Sequence, residues 1–279
     1  MSAEINESDL AARAINGDQV ALEEVIRLLQ DPVYRLPLRM VARPSDAEDA
    51  TQEILIRVVT RLASWRGEAK LLTWTYRIAV NYLLNRRRQT EREAQRLSFK
   101  EFRDDLSNGL AAESYDDPEA MLLAEEVRLS CTQSMLQCLA RGERIAFVLG
   151  EIFELSSNEA AWVLEITPTA YRKRLERARH RIRGFMDSTC GLVNPDAFCR
   201  CARRVPQAVA LGRVNPRQPS FTTHPVTPSG RDVAAAAAQL ESLHSVTAVM
   251  RAHPDYAAPK TKTDAITVLL QSGRFPLLE

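Results

Sequence analysis

Residues 156–184, SSNEAAWVLEITPTAYRKRLERARHRIRG, constrain the fold more than any other stretch of the chain. Ser156 and Glu159 form a capping box, which predicts that a short helix starts here. Thr167 is a candidate cap for a second helix. Pro168 takes the first helical position, where a missing N–H is tolerated. A short helix, a tight turn and a longer basic helix form the pattern of a helix-turn-helix.

The second helix of this pattern divides into an apolar face and a basic face. At about 100° per residue, one stripe is predicted to be buried, and it consists of Tyr171, Leu175, Ala178 and Ile182. The helix carries seven basic residues between Arg172 and Arg183 but only one acid, Glu176. Solvated helices tend to mix charges at this spacing, so DNA is favoured over a merely solvated surface.

The start of that helix is predicted to enter a DNA groove. A major groove admits one helix, whose N-terminal residues reach the base edges. The outward candidates for reading bases are Thr169, Lys173, Glu176 and Arg177. Flanking arginines, including Arg172 and Arg174, suit phosphates. Glu176 has two interpretations, as an acceptor from a cytosine amino group or as an internal partner of Arg172 or Arg179.

Residues from about 8 to 90 are predicted to be helical. Ser45 and Glu48 fit a second capping box, and a buried stripe follows at helical spacing. Gly67 interrupts this pattern within a loop, and a further helix is predicted from about Thr73 to Arg88. Arg77, Asn81 and Asn85 share a face of it, where an amide can read a base edge. The alternative is that the nearby aromatic residues are core and that the terminal arginines cap the helix dipole.

Two other segments differ from these helices in composition. From Glu101 to Pro118 the chain is acidic and without clear periodicity, which predicts a tether between two domains. After Cys190 the chain holds nine of its fourteen prolines. Two short helical patterns remain there, GRDVAAAAAQLESLHSVTAVMRAH and KTDAITVLLQS. The near-neutral total of +1 therefore combines acidic and basic segments.

Composition excludes several classes of protein. No apolar run approaches the ~18 residues of a membrane span. The polar, acidic start is unlike a signal peptide, so we expect a cytoplasmic protein. No phosphate-binding loop, HExxH motif or carboxylate pair argues for an enzyme.

The five cysteines favour reduced thiols or a metal site over disulfides. Cys190, Cys199 and Cys201 are candidate zinc ligands, with His180 or His224 as a fourth. The alternatives are a redox-sensing set, whose thiol pKa values basic neighbours would lower, and plain structural thiols. Otherwise no cofactor is required. Cys131 and Cys138, seven residues apart on an apolar helix, are predicted to be core.

Three stretches together resemble a known family. DAEDATQEILIRVVTRL, WRGEAKLLTWTYRIAVNYLLNRRR and LSSNEAAWVLEITPTAYRKRLERARHRIR are similar to the two conserved blocks of the extracytoplasmic-function group of bacterial sigma factors. The match covers roughly residues 8 to 186. It implies an all-α fold with a promoter-melting domain and a helix-turn-helix domain, joined by an acidic flexible linker. A mainly helical or irregular C-terminal extension would follow.

The resemblance implies a subunit of RNA polymerase that selects promoters and starts transcription. Core polymerase would be bound through its clamp coiled coil and its flap, with the clamp contacts at Asp46, Asp49, Gln52 and Glu53. The −10 element would be contacted by Arg66, Lys70, Trp74, Arg77 and Asn81, and the −35 element by the helix from Thr169 to Arg177. The acidic linker would mimic RNA in a positively charged path.

These expectations set the domain boundaries at 1–92, 93–120, 121–187 and 188–279. The last segment is a possible regulator, either alone or beside a separate anti-sigma factor. The rival interpretation is a helix-turn-helix regulator that binds duplex DNA without polymerase. That rival predicts tight DNA binding by the isolated protein, whereas the sigma-factor hypothesis predicts dependence on core enzyme.

Overall fold

The computed structural model describes residues 6–41, 43–85, 97–112, 118–228, 230–242, 245–260 and 268. Helices dominate these residues, and no β-sheet forms among them. The predicted all-α class is therefore confirmed. None of the helices in these ranges is long and apolar enough to cross a membrane.

The chain divides into two compact units. The first contains Met1–Arg86, Ala161–Ile166 and Tyr256–Glu279, and the second contains Arg87–Ala160 and Thr167–Asp255. The sequence predicted a separate linker and a separate extension. In the structure the described residues of the linker, and those of the extension up to Asp255, belong to the second unit.

The first unit is built on four helices that precede the linker: α1 (Glu7–Ile15), α2 (Gln19–Val41), α3 (Pro44–Thr60) and α4 (Leu71–Asn85). Asn6 caps α1 by accepting from the backbone N–H groups of Ser8 and Asp9. The apolar stripe predicted on α3 is buried, including Ile54, Leu55 and Val58. Burial of these side chains holds α3 against α2.

Two predicted helix starts in this unit are shifted. The helix α3 begins at Pro44, so Ser45 lies within the helix rather than capping it, and no side chain caps the helix start. The fixed φ of proline suits the first helical position, so Pro44 starts the helix one residue before the predicted cap. The helix α4 begins at Leu71 rather than Thr73, and its predicted end at Arg88 lies outside the described residues.

The second unit contains the helices from the linker onwards, including most of the helix-turn-helix pattern, whose residues Ala161–Ile166 belong to the first unit. These are α5 (Phe99–Ser107), α6 (Pro118–Gln137), α7 (Arg141–Phe147) with a π-helical turn at Val148–Ile152, α8 (Ser157–Val163) and α9 (Pro168–Thr189). The last three residues of α8 group with the first unit. The predicted capping box of α8 is confirmed, because Ser156 and Glu159 exchange hydrogen bonds of 2.9 and 3.3 Å.

The helix α5 lies in the segment that the sequence predicts to be a structureless tether. Ser98 and Glu101 form a complete capping box at its start. Phe102 and Leu106, four residues apart, are both buried. The helical periodicity of this segment is hard to recognise in the sequence, because only these two apolar side chains show it. Residues 93–96 and 113–117 of the predicted linker lie outside the described residues.

The C-terminal extension contributes three helices that the structure describes: α10 (Cys201–Ala210), α11 (Val233–Ser242) and α12 (Val246–Arg251). Residues Tyr256–Lys260 pack within the first unit, where Asp31 accepts from the Ala258 N–H at 2.8 Å. The predicted helix KTDAITVLLQS lies outside the described residues except for Val268.

Candidate nucleic-acid interface

The helix α9 is held in place by the stripe that the sequence predicts. Thr167 caps it by accepting from the Ala170 N–H at 3.2 Å. Tyr171, Ala178 and Ile182 are completely buried, and Leu175 nearly so. The Tyr171 hydroxyl donates to the Ala146 carbonyl at 3.1 Å and lies against Gly150, where a side chain would clash with it. Burial of this stripe fixes which face of α9 is left to solvent.

The first turns of α9 offer a polar surface. Thr169, Lys173 and Glu176 are exposed. The Arg172 guanidinium is exposed too, and it donates to the Thr169 hydroxyl at 3.3 Å. Within the described part of the chain, neither Lys173 nor Glu176 has an ion-pair partner, so Glu176 is not the internal partner of Arg172 or Arg179. These side chains are available to a ligand.

Other arginines of α9 are bound to acids of the same unit. Arg177 and Arg181 lie 3.4 and 3.3 Å from Glu143, and the Arg179 Nε donates to Glu151 at 2.8 Å. The Arg177 side chain remains 59% exposed. Arg177 therefore lies on an exposed face of α9 while its guanidinium contacts Glu143. Arg174 is half-buried beside Gly142.

Glu143 and Glu151 are functional candidates that sequence reasoning missed. Both are nearly buried, and together they orient three arginines of α9. The signal was present in residues 143–151, ERIAFVLGE, where two acids eight residues apart flank a mostly apolar run. Buried carboxylates need partners, but only the structure shows that the partners come from α9.

The predicted −10 residues lie on the loop at 65–70 and on α4 of the first unit. Arg66 and Lys70 are exposed, and Trp74 is half-buried. The Trp65 ring N–H donates to the Ala69 carbonyl at 3.0 Å, which holds the loop closed. Of the three aromatic residues interpreted as core, Tyr76 is buried, whereas Trp65 and Trp74 are half-buried.

Asn81 is exposed and lines a groove of about 480 Å³, together with Arg57, Arg61, Tyr82 and other residues. Arg66, Lys70 and Trp74 do not line it. Arg77, on the same helix, donates to Glu165 at 2.9 Å and lies 4.7 Å from the Trp162 ring centre. An amide beside two guanidiniums suits a base edge and its phosphate.

The predicted polymerase contacts share the first half of α3. Asp49 is exposed, whereas Asp46, Gln52 and Glu53 are half-buried. Glu53 pairs with Arg57 at 2.9 Å, and both side chains remain more than 40% exposed. The helix start favours Asp46 electrostatically, because this acid lies in the first turn. The exposed side chains of Asp49 and Glu53 are accessible to a partner.

The cysteines of the extension lie close to one another. Cys190 and Cys199 are paired through a backbone bridge, and Cys201 begins α10. No group of three or more His, Cys, Asp or Glu side chains among the described residues is arranged to hold a metal ion. The proposed ligation by Cys190, Cys199 and Cys201 thus gains no support from their arrangement.

The thiol pKa values also bear on the redox hypothesis. Burial raises the pKa of Cys199 to about 11 and raises those of Cys190 and Cys201, despite the nearby arginines. The basic neighbours do act to lower these thiol pKa values, but desolvation of the thiolates raises them by more, so the net shift is upward. Cys138 is buried as predicted, while Cys131 is half-buried.

The sequence matches two family profiles at the positions of these surfaces. Sigma-70 region 2 matches residues 25–93, and Sigma-70 region 4 matches residues 129–182. The ECF RNA polymerase sigma-E factor of Escherichia coli K12 is 32% identical over 188 residues, which cover 65% of this chain and 95% of that protein. The RNA polymerase sigma-H factor of Pseudomonas aeruginosa is 28% identical over 181 residues, covering 63% and 91%.

Two solved structures are also similar. The structure of CnrH in complex with the cytosolic domain of CnrY aligns with a TM-score of 0.46 and 22% identity, covering 65% of this chain and 97% of that one. The sigma factor RpoE of Bartonella quintana, in complex with the anti-sigma factor NepR, aligns with a TM-score of 0.41 and 18% identity, covering 58% and 94%.

Proposed function

The chain belongs to the extracytoplasmic-function group of RNA polymerase sigma factors, and from this premise we propose how its residues divide the work of promoter recognition. As a sigma factor it binds core RNA polymerase and directs promoter-specific transcription initiation. The observation that carries the residue assignment is the exposed polar surface at the start of α9, fixed by a fully buried stripe on the opposite face.

In this proposal α9 reads the −35 element. Thr169, Lys173 and Glu176 face the base edges, because they are exposed at the N-terminal end that enters a major groove. Arg172 and Arg174 bind phosphates and set the register. Arg177 joins the base readers only when DNA draws it from Glu143, a contact of 3.4 Å at the edge of ion-pair range.

The −10 element is proposed to bind the first unit. Asn81 reads an unstacked base in the groove that it lines with Arg57 and Arg61. Arg66, Lys70 and Trp74 supply cationic and stacking contacts to the same strand. Arg77 contributes after it exchanges its bond to Glu165 for a phosphate.

Core polymerase is proposed to bind the first half of α3, through Asp46, Asp49, Gln52 and Glu53. The acidic linker is proposed to engage a positively charged surface of the polymerase. A protein with these partners acts in the cytoplasm. Its regulation is proposed to come from a separate anti-sigma factor or from its own extension. Zinc binding at the extension's cysteines stays a prediction.

Reconstituted run-off transcription tests the proposed function. Core polymerase plus the full chain is expected to give specific transcripts, while the chain without core binds promoter duplex weakly. Tight, specific duplex binding by the isolated protein, with no core-dependent transcript, would instead support a helix-turn-helix regulator.

Two substitutions on α9 test the assignment of its surface. Lys173→Ala is expected to change which promoters are transcribed, at a cost of about 1–3 kcal/mol for the preferred −35 sequence. Arg172→Ala is expected to weaken all promoters alike and to reduce the salt dependence of binding. Identical promoter profiles for the two variants would contradict the division of α9 into base and phosphate contacts.

A further inference from the structure

The linker helix α5 is folded against other parts of the second unit. The Phe102 ring stacks on the Phe185 ring of α9, with centres 5.4 Å apart and planes 7° from parallel. Phe99 lies 5.2 Å from the same ring. These contacts bury the apolar side of α5. An acid on its other side, Asp105, is bound by a different part of the chain.

The basic partners of this acid come from the C-terminal extension. Asp105 receives two hydrogen bonds from the Arg213 guanidinium, one of them 2.8 Å long. Arg204 of α10 approaches the same carboxylate at 3.1 Å. The Arg204 side chain is only 3% exposed, so Asp105 is the acid that compensates a nearly buried cation.

The extension also binds the backbone that follows α5. Arg203 donates to the Ala111 carbonyl at 2.7 Å, and the Ala111 N–H donates to the Arg203 carbonyl at 3.0 Å. Arg204 also donates to the Asn108 carbonyl. Gln207 lies directly over Gly109, where φ is +71° and a side chain would clash. The extension therefore contacts the linker continuously from Asp105 to Ala111.

An apolar cluster anchors the extension while it makes these contacts. Val205 and Ala208 of α10, with Val214 after it, pack on Leu123 and Val127 of α6. The helix α10 thus has two faces, one buried on α6 and one bound to the linker. Because α10 is in contact on both faces, it forms a specific binding surface for the linker rather than a loose contact.

We propose that α10 and Arg213 form an intramolecular binding site for the acidic linker, and that this site competes with the polymerase for it. The Asp105 carboxylate cannot hold two guanidiniums and a cationic surface of the polymerase at once. Release of the linker from the extension therefore precedes its full engagement with core enzyme. This inference rests on the proposed function, which supplies the polymerase as competitor.

The test uses the full chain with Arg213→Glu, and Arg217→Glu as its control. Arg213 is half-exposed, so its reversal breaks the pair with Asp105 without opening the core. Arg217 lies four residues further on and is exposed, with no side-chain contact in the described structure. Both variants change the net charge equally.

Amide hydrogen exchange of the free protein gives the first measurement. Arg213→Glu is expected to raise exchange across residues 99–112 roughly five-fold, since a bidentate Arg–carboxylate pair is lost and a repulsion replaces it. Arg217→Glu is expected to leave these amides unchanged. Equal protection in the two variants would overturn the binding site.

Affinity for core polymerase gives the second measurement. Arg213→Glu is expected to bind core roughly five-fold more tightly than the wild type and the control. Faster exchange in α5 with unchanged core affinity would overturn the competition. Absence of core binding by the wild type and both variants would overturn the proposed function and the competition with it. The exchange measurement involves no polymerase, so it would still report whether the site exists.

Discussion

The acids of α3 and three acids of the second unit differ in their exposure to solvent and in their binding partners. On α3, Asp49 is exposed and Glu53 forms only a solvent-exposed pair within its own helix. In the second unit, Glu126 and Glu151 are buried and Asp105 is half-buried, and each binds a different part of the extension. The same residue types therefore provide an open surface in one unit and internal anchors in the other.

The three anchors differ in what they bind. Asp105 holds two arginines, and Glu151 accepts from the Thr247 hydroxyl at 3.3 Å and from Arg179. Glu126 accepts from three successive backbone N–H groups, those of Ser220, Phe221 and Thr222, at 2.8 to 3.1 Å. Because buried carboxylates depend on such donors, loss of an anchor is expected to affect stability, whereas loss of an open acid affects only binding.

The largest effect is expected from Glu126→Ala. Only 2% of Glu126 is exposed, and its removal leaves three backbone donors without acceptors. We expect the second unit to lose about 3 kcal/mol. The measurement is the urea midpoint of the second unit, together with hydrogen exchange across residues 218–224.

Asp187→Ala is the control for this substitution, because Asp187 is an exposed acid of the same unit. It is expected to change stability by no more than about 0.5 kcal/mol. If both substitutions shift the urea midpoint equally, Glu126 is not an anchor and the contrast between the two groups of acids fails.

The sequence predicts the parts of the site that depend on near neighbours. The capping box of α8 involves residues three apart, and the buried stripe of α9 recurs every three or four residues. Both are local patterns, and both are present in the structure. The helix α5 has an equally local capping box at Ser98 and Glu101. It was missed because acidic composition dominates that segment.

The anchors were not predictable, because their partners are distant along the chain. Glu151 and Arg179 are 28 residues apart, and Glu126 binds Phe221 across 95 residues. Charge patterning along one helix gives no information about such pairs. From the sequence, Ser45 and Ser156 are equally good candidates for a helix cap. Only the structure shows that α3 begins before Ser45, at Pro44.

Glu151→Gln is expected to have the next largest effect. The carboxylate is nearly buried and receives Arg179 and Thr247, so the neutral amide loses charge-assisted bonds. We expect a loss of about 1–2 kcal/mol and faster hydrogen exchange in α12. Glu154→Gln is the matched control, since Glu154 also contacts α12 through Arg251 but is 68% exposed. A larger effect from Glu154→Gln would reverse the importance given to burial.

Asp49→Asn tests the open group of acids. We expect core polymerase to bind about five-fold more weakly, equivalent to about 1 kcal/mol, while the unfolding midpoint of the first unit stays the same. Glu23→Gln removes another exposed acid, which lies on α2, and is expected to leave core affinity unchanged. A shift of the unfolding midpoint by Asp49→Asn would place Asp49 among the anchors instead.

The smallest effect is expected from acid titration of Asp105. Hydrogen bonding from Arg213 lowers the pKa of Asp105 below its ordinary value, against the opposing effect of burial. Because the folded-state pKa is the lower one, the stabilisation is fully present above the ordinary carboxyl pKa of about 4 and is lost as pH falls through the folded-state value. Arg213 is half-exposed, so screening limits the contribution to less than about 1 kcal/mol.

Protection of α5 amides, corrected for intrinsic exchange, should therefore decrease in the wild type as pH falls below about 4. It should keep doing so in Asp104→Asn, because Asp104 is exposed and makes no such pair in the described structure, and it should lose this dependence in Asp105→Asn. The same pH dependence in all three proteins would show that another acid holds α5, and that Asp105 belongs with the open acids of α3.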